Sequence, residues 1–491
     1  MQLVTPQTPR NAPSLAGRLG VAAAGLALTA ALAGCGTGQG TDDAPPAAAG
    51  EDSLNVVLVL VDAMRADRLG PYGYDARPVT PNLDAMAAEA VVFERAVSQA
   101  GWTVPSVASL FSGVDPQAHK VLKFIDSKAE AGQDGHADKL TVMMESLSDG
   151  HTTVAEKFAE AGYQTQAIVK SDVVSAGRGF DQGFADFEFV SEWPKAHLQT
   201  GEQLTDRALE WLETGRDGNP FYLYLHYMDV HSSYMAPAPW YGKYAEGIDS
   251  DWDGSHMQVV PFHDGDEIPT EADIEKLWAH YDEEIEYWDD QFGRLLDALE
   301  AKGMMENTIV VLVADHGEAF YEHGEFFHSD LYQQNIHVPL ILRMPEVEPR
   351  RFDHWVELTD VGPTLAELTG VGVAEEWTGK SHAAAIRGGE PVVRPVYSEF
   401  AGSRMLIEPE TGLKLLTGKE RGDELYDLVA DPGEKTNLAE ERPEDLDRLK
   451  RMAHRRYVEA KQLSERFPKA DPSELTAEQI EALKSLGYLG N

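Results

Sequence analysis

The sequence predicts an α/β fold: a mostly parallel buried sheet flanked by helices, followed by a small antiparallel-sheet subdomain. Three observations carry this. From Leu54 to about Arg387, apolar β-branched runs alternate with amphipathic helical patterns, the arrangement of repeated strand–helix–strand units. The runs are continuously apolar, as in strands covered on both faces. After Gly388 the pattern changes to short alternating segments, which suit an antiparallel sheet with one face against a core.

Taken in order, the chain opens with Arg10 and Arg18 ahead of an apolar run from Leu19 to Ala33. That is the pattern of a secretory signal, and it is short for a membrane span. The run ends Leu32-Ala33-Gly34-Cys35, which resembles the bacterial lipobox, where cleavage precedes the cysteine and the thiol receives a lipid. A plain signal peptide cleaved nearby, or an uncleaved anchor, are the alternatives. Cys35 is the single cysteine, so neither an intramolecular disulfide nor a thiolate metal cage can form. The expected layout is a lipoprotein signal peptide over residues 1–35 and a flexible tether rich in Gly, Ala, Pro and Asp over 36–53. This makes the chain an exported lipoprotein anchored to the membrane of the cell envelope.

The main domain then spans 54–387. Four runs read as its inner strands: Asn55–Val61, Gln166–Val169, Phe221–Leu225 and Thr308–Val313. Helices are expected at Pro81–Ala88, Val154–Glu160, Thr205–Glu213 and Glu283–Leu299. The subdomain over 388–441 takes its strands from Val392–Phe400 and Lys414–Thr417. Residues 442–491 form a highly charged tail with a helical pattern.

Acidic residues outnumber basic ones 83 to 41, for a formal net charge of −42. Such a surface repels nucleic acid and anionic membranes, which excludes both as partners. An anionic substrate must therefore bind where local cations overcome this field.

In open α/β sheets the working residues sit just beyond the carboxyl ends of the strands. Here the four inner runs lead into Asp62, Lys170, His226 with Asp229 and His231, and Asp315-His316. Singly, each aspartate is more often a turn or cap residue than a ligand. Four polar ends at equivalent positions converge on one rim, as a metal and anion site requires. Asp62, Asp315 and His316 offer two oxygens and an imidazole, a set for Zn or Mn that also accepts Mg or Ca with water. Gly317 lets the chain turn tightly just past them.

A nucleophile candidate lies in Trp102-Thr103-Val104-Pro105-Ser106. Thr103 reads as a helix N-cap, with Pro105 in the first turn. The same geometry suits catalysis, because a hydroxyl at a helix N-terminus lies in the positive end of the dipole. A nearby metal would lower its pKa further.

As an ordered set, these residues resemble the sulfatase-like branch of the alkaline phosphatase superfamily over roughly residues 55–438. The carriers are Val61-Asp62-Ala63-Met64-Arg65, Thr80-Pro81-Asn82-Leu83-Asp84, Thr103-Val104-Pro105-Ser106, Leu225-His226-Tyr227-Met228-Asp229-Val230-His231, and Asp315-His316-Gly317-Glu318. They continue with Leu331-Tyr332, Val338-Pro339-Leu340-Ile341, Glu424-Leu425-Tyr426-Asp427-Leu428 and Asp431-Pro432-Gly433-Glu434. The resemblance implies an alkaline-phosphatase-like sandwich and one divalent metal ion held by Asp62, Thr103, Asp315 and His316. It implies Thr103 as nucleophile, Arg65 holding Thr103 or the anion, and Lys170 on the substrate's anionic group. It further implies His231 and His328 as groups that contact or protonate the reacting ester, with His226 and His323 in lesser contacts.

Two departures shift the expected chemistry. Thr103 stands where the family motif has Cys or Ser, and Val107 replaces the Arg that follows in that motif. Threonine cannot become formylglycine, because its β-carbon already carries a methyl. Ala63 replaces the second aspartate of the usual pair, and His316 stands where many sulfatases have Asn. An unmodified threonine is the pattern of phosphodiesterases and phosphoethanolamine-type transferases, so the expectation is ester hydrolysis with phosphoester chemistry favoured. A surface transferase and a non-catalytic binder of anionic ligands are the alternatives. Specificity is expected to lie in the Trp-, Tyr- and Asp-rich insertion over 232–269 and in the C-terminal subdomain.

Overall fold

The computed structural model describes residues 50, 53–122, 124–127, 141–190, 201–263, 267–328, 330–418, 422–476 and 479–480. The signal segment, Cys35 and nearly all of the tether lie outside the described residues. Within them the main sheet is built from β1 (Asn55–Val61), β2 (Val91–Val97), β3 (Gln164–Val169), β4 (Asp186–Phe189), β5 (Phe221–Tyr227), β6 (Thr308–Val313), β7 (His337–Arg343) and β8 (Arg350–Glu357). Their order is β8-β2-β7-β6-β1-β5-β3-β4. Only β7 runs against the rest; the pairs on either side of it are parallel.

The four strands expected from the sequence are the adjacent set β6-β1-β5-β3 at the centre of this sheet. Every residue of β1, β5 and β6 is buried, which explains their unbroken apolar sequences. Covering both faces stabilises each Val or Leu by about 1.5–3 kcal/mol relative to exposure. The outer strands were not expected. In β7, Pro339 lacks an N–H and falls where the pairing with β2 shifts register between Val338 and Leu340, a place where a sheet tolerates proline. β2 carries Glu94-Arg95, and β8 opens on Arg350-Arg351, so neither reads as a buried strand.

Helices α1 (Pro81–Ala87), α2 (Thr103–Ser112), α3 (Val154–Glu160), α4 (Gly201–Glu210), α5 (Glu271–Ala301) and α6 (Val361–Thr369) accompany the sheet. Two begin with reciprocal caps: Thr153 with Glu156 at α3, and Thr270 with Asp273 at α5, each satisfying two amide N–H groups. That cap starts α5 well before the expected Glu283. Its Asp289 accepts the backbone N–H groups of Asn82 and Leu83 at 2.9 Å, pinning the start of α1.

The C-terminal subdomain is an antiparallel sheet of β9 (Val396–Phe400), β10 (Ser403–Glu408), β11 (Leu413–Gly418) and β12 (Gly422–Asp427). Strand alternation divides its side chains. Val396, Met405, Ile407 and Leu416 pack on Val97, Leu331 and Trp355 of the main domain. Tyr397, Leu406, Leu413, Leu415 and Leu425 pack on Leu449 and Ala453 of the tail helix α7 (Pro443–Ser464). Among the described residues, no helix is long and apolar enough to cross a membrane.

Candidate active site

The parallel register of the central strands brings their carboxyl ends level. Val61 pairs with Tyr227, Leu60 with Val313, and Val169 with His226. Asp62 is the first residue beyond β1, and its N–H continues the ladder to Tyr227 O at 2.9 Å. Ala63 then adopts φ 58°, a left-handed turn rare outside glycine. This carries its N–H to Asp315 Oδ1 at 3.3 Å. Asp315 and His316 follow β6 by two and three positions, and Ser106 of α2 donates its hydroxyl to Asp315 O at 2.6 Å. The start of α2 is thereby tied to the end of β6.

Thr103 is fully buried. Its Oγ1 lies 3.3 Å from Asp62 Oδ2 and 3.0 Å from His316 Nε2. It is the first helical residue, and the extended Trp102 holds the cap position, so the expected capping role is corrected. The hydroxyl turns into the site while the helix start still directs its dipole there. His316 Nδ1 bonds to Gly317 O at 2.8 Å. That leaves the Nε2 lone pair facing Thr103 and both carboxylates, with Asp62 Oδ1 and Asp315 Oδ2 each at 3.4 Å.

His226 belongs with the carboxylates rather than with the substrate contacts expected of it. Its Nδ1 meets Tyr224 OH at 3.0 Å and its Nε2 lies 3.4 Å from Asp62 Oδ2. Ligand atoms of Asp62, His226 and Asp315 all fall within 4.8 Å of one another. Asp62 Oδ1 and Asp315 Oδ2 are buried yet accept no hydrogen bond among the described residues. Two such oxygens beside imidazole nitrogens and a hydroxyl fit a divalent cation.

Electrostatics say the same. Burial would raise the Asp62 carboxyl, but the His226 hydrogen bond and the charges of His231 and His316 outweigh it and hold it below the usual range. Asp315 is pushed well up by burial and by the Asp62 charge. Burial and the neighbouring His328 lower His316 to about 3, so its imidazole is neutral.

A second layer holds two more expected residues. The His328 ring stacks on His316 with centroids 4.3 Å apart and meets His231 edge-on at 4.9 Å. His231 Nδ1 bonds to Ser232 O at 2.9 Å. Behind His328 lies Glu318, a fully buried carboxylate that sequence reasoning assigned no role. Burial raises it to about 7. A signal for it was present: one charged residue between the Gly317 turn and the apolar Ala319-Phe320.

Two expected residues are placed elsewhere. Arg65 spends its guanidinium on Asp67 at 2.6–2.8 Å, Glu322 at 2.6 Å and Glu318 O at 2.8 Å. It therefore braces the loops around the site instead of holding Thr103. His323 stacks on Tyr332 at 3.7 Å, under the C-terminal sheet. Lys170 follows β3, with its N–H on His226 O at 3.2 Å, and its charge favours the Asp229 carboxylate.

Comparison with known proteins bears on this arrangement. The sequence model of the sulfatase family matches residues 54–371. The chain belongs to the sulfatase family. That family lies within the alkaline phosphatase superfamily and usually binds a divalent metal. This sulfatase-family chain is 26% identical to an arylsulfatase of Clostridium perfringens over 474 residues, covering 81% of this chain and 93% of that one. Arylsulfatase K of Mus musculus is 24% identical over 445 residues, covering 79% and 77%. A phosphonate monoester hydrolase of Agrobacterium radiobacter shares the fold with a TM-score of 0.66 at 19% identity, over 83% of this chain and 96% of that one. The chain is thus a sulfatase-like hydrolase.

Proposed function

We propose that this protein is a metal-dependent hydrolase of sulfuric or phosphoric esters that uses unmodified Thr103 as nucleophile, with phosphoester chemistry favoured. The observation that supports this most is Thr103 Oγ1, 3.0 Å from His316 Nε2 and 3.3 Å from Asp62, beside two carboxylate oxygens that accept no hydrogen bond among the described residues. Asp62, Asp315, His316 and Thr103 would hold the ion, joined by His226. A bound divalent cation supplies Lewis-acid stabilisation of negative charge on the nucleophile and on the ester oxygens.

The chain's own residues account for the rest. Thr103 attacks sulfur or phosphorus from the first turn of α2, where the helix dipole favours anions. His231 or His328 protonates the leaving oxygen, and water then releases the product from Thr103. The methyl on the Thr103 β-carbon excludes formylglycine, so the covalent intermediate must be resolved at phosphorus or sulfur. That step favours phosphorus. The ester is anionic, and Lys170, at the end of β3, is the residue we assign to meet it. Tethering through a lipid on Cys35 would hold the enzyme at the envelope, and a Cys35→Ser variant should shift from the membrane to the soluble fraction.

A panel of aryl sulfate, aryl phosphate, bis-aryl phosphate and phosphonate monoester substrates, with Mn, Zn, Ca or Mg and with chelator, tests the reading. We expect chelator-sensitive turnover that is highest on phosphoesters and reduced by about 10³-fold or more in Thr103→Ala. Full activity in that variant overturns the nucleophile. Turnover confined to sulfate esters overturns the phosphoester preference. Transfer to an added alcohol in place of water would instead identify a transferase.

A further inference from the structure

We propose that the cleft between the main sheet and the C-terminal subdomain is a binding site, separate from the reaction centre, for a small hydroxylated carboxylate that pairs with Arg95.

The cleft begins at a fault in the sheet. Val338 pairs with Ala96 and Leu340 with Phe93, so one residue of β7, Pro339, faces two of β2, Glu94 and Arg95. That is a bulge, which re-aims the side chains it carries. Phe93 packs on Phe352 and His382, whereas Glu94 and Arg95 together line a cleft of about 420 Å³. Its other walls include Asp67 after β1, Arg351 and Trp355 of β8, Gln333, and Val429 of the subdomain. Among the described residues, none of those that would hold the ion, attack the ester or protonate its leaving oxygen lines this cleft.

The charges on its walls do not cancel. Arg351 pairs with Glu94 at 2.7 Å, and Asp67 is held by Arg65 at 2.6–2.8 Å. The Arg95 guanidinium makes no ion pair or hydrogen bond among the described residues; it lies over the Trp355 ring, 5.5 Å from its centroid. Trp355 is buried, so its ring steadies the guanidinium by a cation–π contact. In a chain of net charge −42, a cation without a carboxylate of its own is a place for an outside anion. A guanidinium matches a carboxylate with two parallel hydrogen bonds. A dianion would instead meet repulsion from Glu94 and Asp67. The remaining lone pairs of those two carboxylates, with the Gln333 amide, suit hydroxyl groups on the rest of the ligand. The volume lies near the small end of the range for small-molecule sites, about 300–1,000 Å³, which fits a ligand of one ring.

Calorimetric titration of the full chain with D-galacturonate tests the site, with neutral D-galactose and acetate as controls for its two parts. Galacturonate should bind about tenfold or more tightly than either control. Arg95→Met, which keeps an aliphatic stem, should bring galacturonate down to the level of galactose. Val429 is 74% exposed, so replacing it disturbs no packing. Val429→Glu should weaken galacturonate binding and Val429→Lys should strengthen it, each by about two- to fivefold, with galactose unchanged. The indole N–H resonance of Trp355, identified by its loss in Trp355→Phe, should shift as galacturonate is added, which reports on this cleft and not on the reaction centre. Equal affinity for acid and neutral sugar, no binding of either, or a Trp355 resonance that stays in place overturns the proposal. So does undiminished binding to Arg95→Met, and acetate binding as tightly as galacturonate removes the hydroxyl contacts from it. Should Arg95→Met fail to fold, the two Val429 variants decide: equal affinities in that pair overturn the site.

Discussion

Asp62 and Asp315 are two buried carboxylates just beyond the ends of adjacent strands, each with an oxygen that accepts no hydrogen bond among the described residues. Without a cation their mutual repulsion costs stability, and a bound cation should reverse that. Chelated protein titrated with Mn, Zn, Ca or Mg should melt at a higher temperature, by the equivalent of about 2.7 kcal/mol at a hundredfold excess over Kd. In Asp315→Asn the metal-free protein should melt no lower than wild type, and the metal-induced rise should disappear. An undiminished rise would place the ion elsewhere. The sequence made Asp62, Thr103, Asp315 and His316 legible because each lies at a strand or helix end, where polar residues interrupt apolar runs. Arg65 has one partner two positions on, Asp67, but the other, Glu322, lies 257 positions away and leaves no local signal. Glu318 is legible only as the one charged residue between Gly317 and the apolar Ala319-Phe320; its hydrogen bond to His328, ten positions on, is not.

Between the elements, the buried pair Lys414–Glu434 fastens the small sheet. Lys414 of β11 is fully buried and lies 2.6 Å from Glu434 Oε1, while Glu434 Oε2 accepts the N–H of Gln333 at 2.6 Å. Lys414→Met leaves an uncompensated buried carboxylate and should cost about 3–5 kcal/mol, read by urea denaturation. The double variant Lys414→Met with Glu434→Gln should recover part of that loss, because the amide still accepts from Gln333. Equal losses in the two proteins would mean that the pair contributes only packing. Element by element, the sequence revealed strands covered on both faces and helices with strong caps. It concealed β7, where Pro339 argues against a strand until the register shift is seen. It also concealed the first turns of α5, whose charges dilute the apolar stripe. The fit of the subdomain onto Val97 and Trp355 depends on residues far apart in the chain and has no local signature.

For the molecule as a whole, buried histidines set the acid limit. His354 on β8 and His151 are lowered by burial from 6.5 to about 4, so the unfolded chain binds more protons than the folded one between those values. Their contribution to stability is present above pH 6.5 and is lost as pH falls toward 4. Melting temperature should drop across that window, and His354→Gln should flatten the slope; an unchanged slope would assign it to other groups. The central position of β1 has one more consequence. Asn55, at its start, bonds to the N–H of Phe221, 166 positions later, and to Thr308, 253 positions later. On a ribosome adding about 5–20 residues per second, the wait for the second neighbour is on the order of 10–50 s. Until Phe221 arrives, after about 8–33 s at that rate, Asn-Val-Val-Leu-Val-Leu-Val has both edges unpaired, the kind of segment that nucleates cross-β association. The strand that organises the reaction centre is thus also the part of the nascent chain that most needs a chaperone.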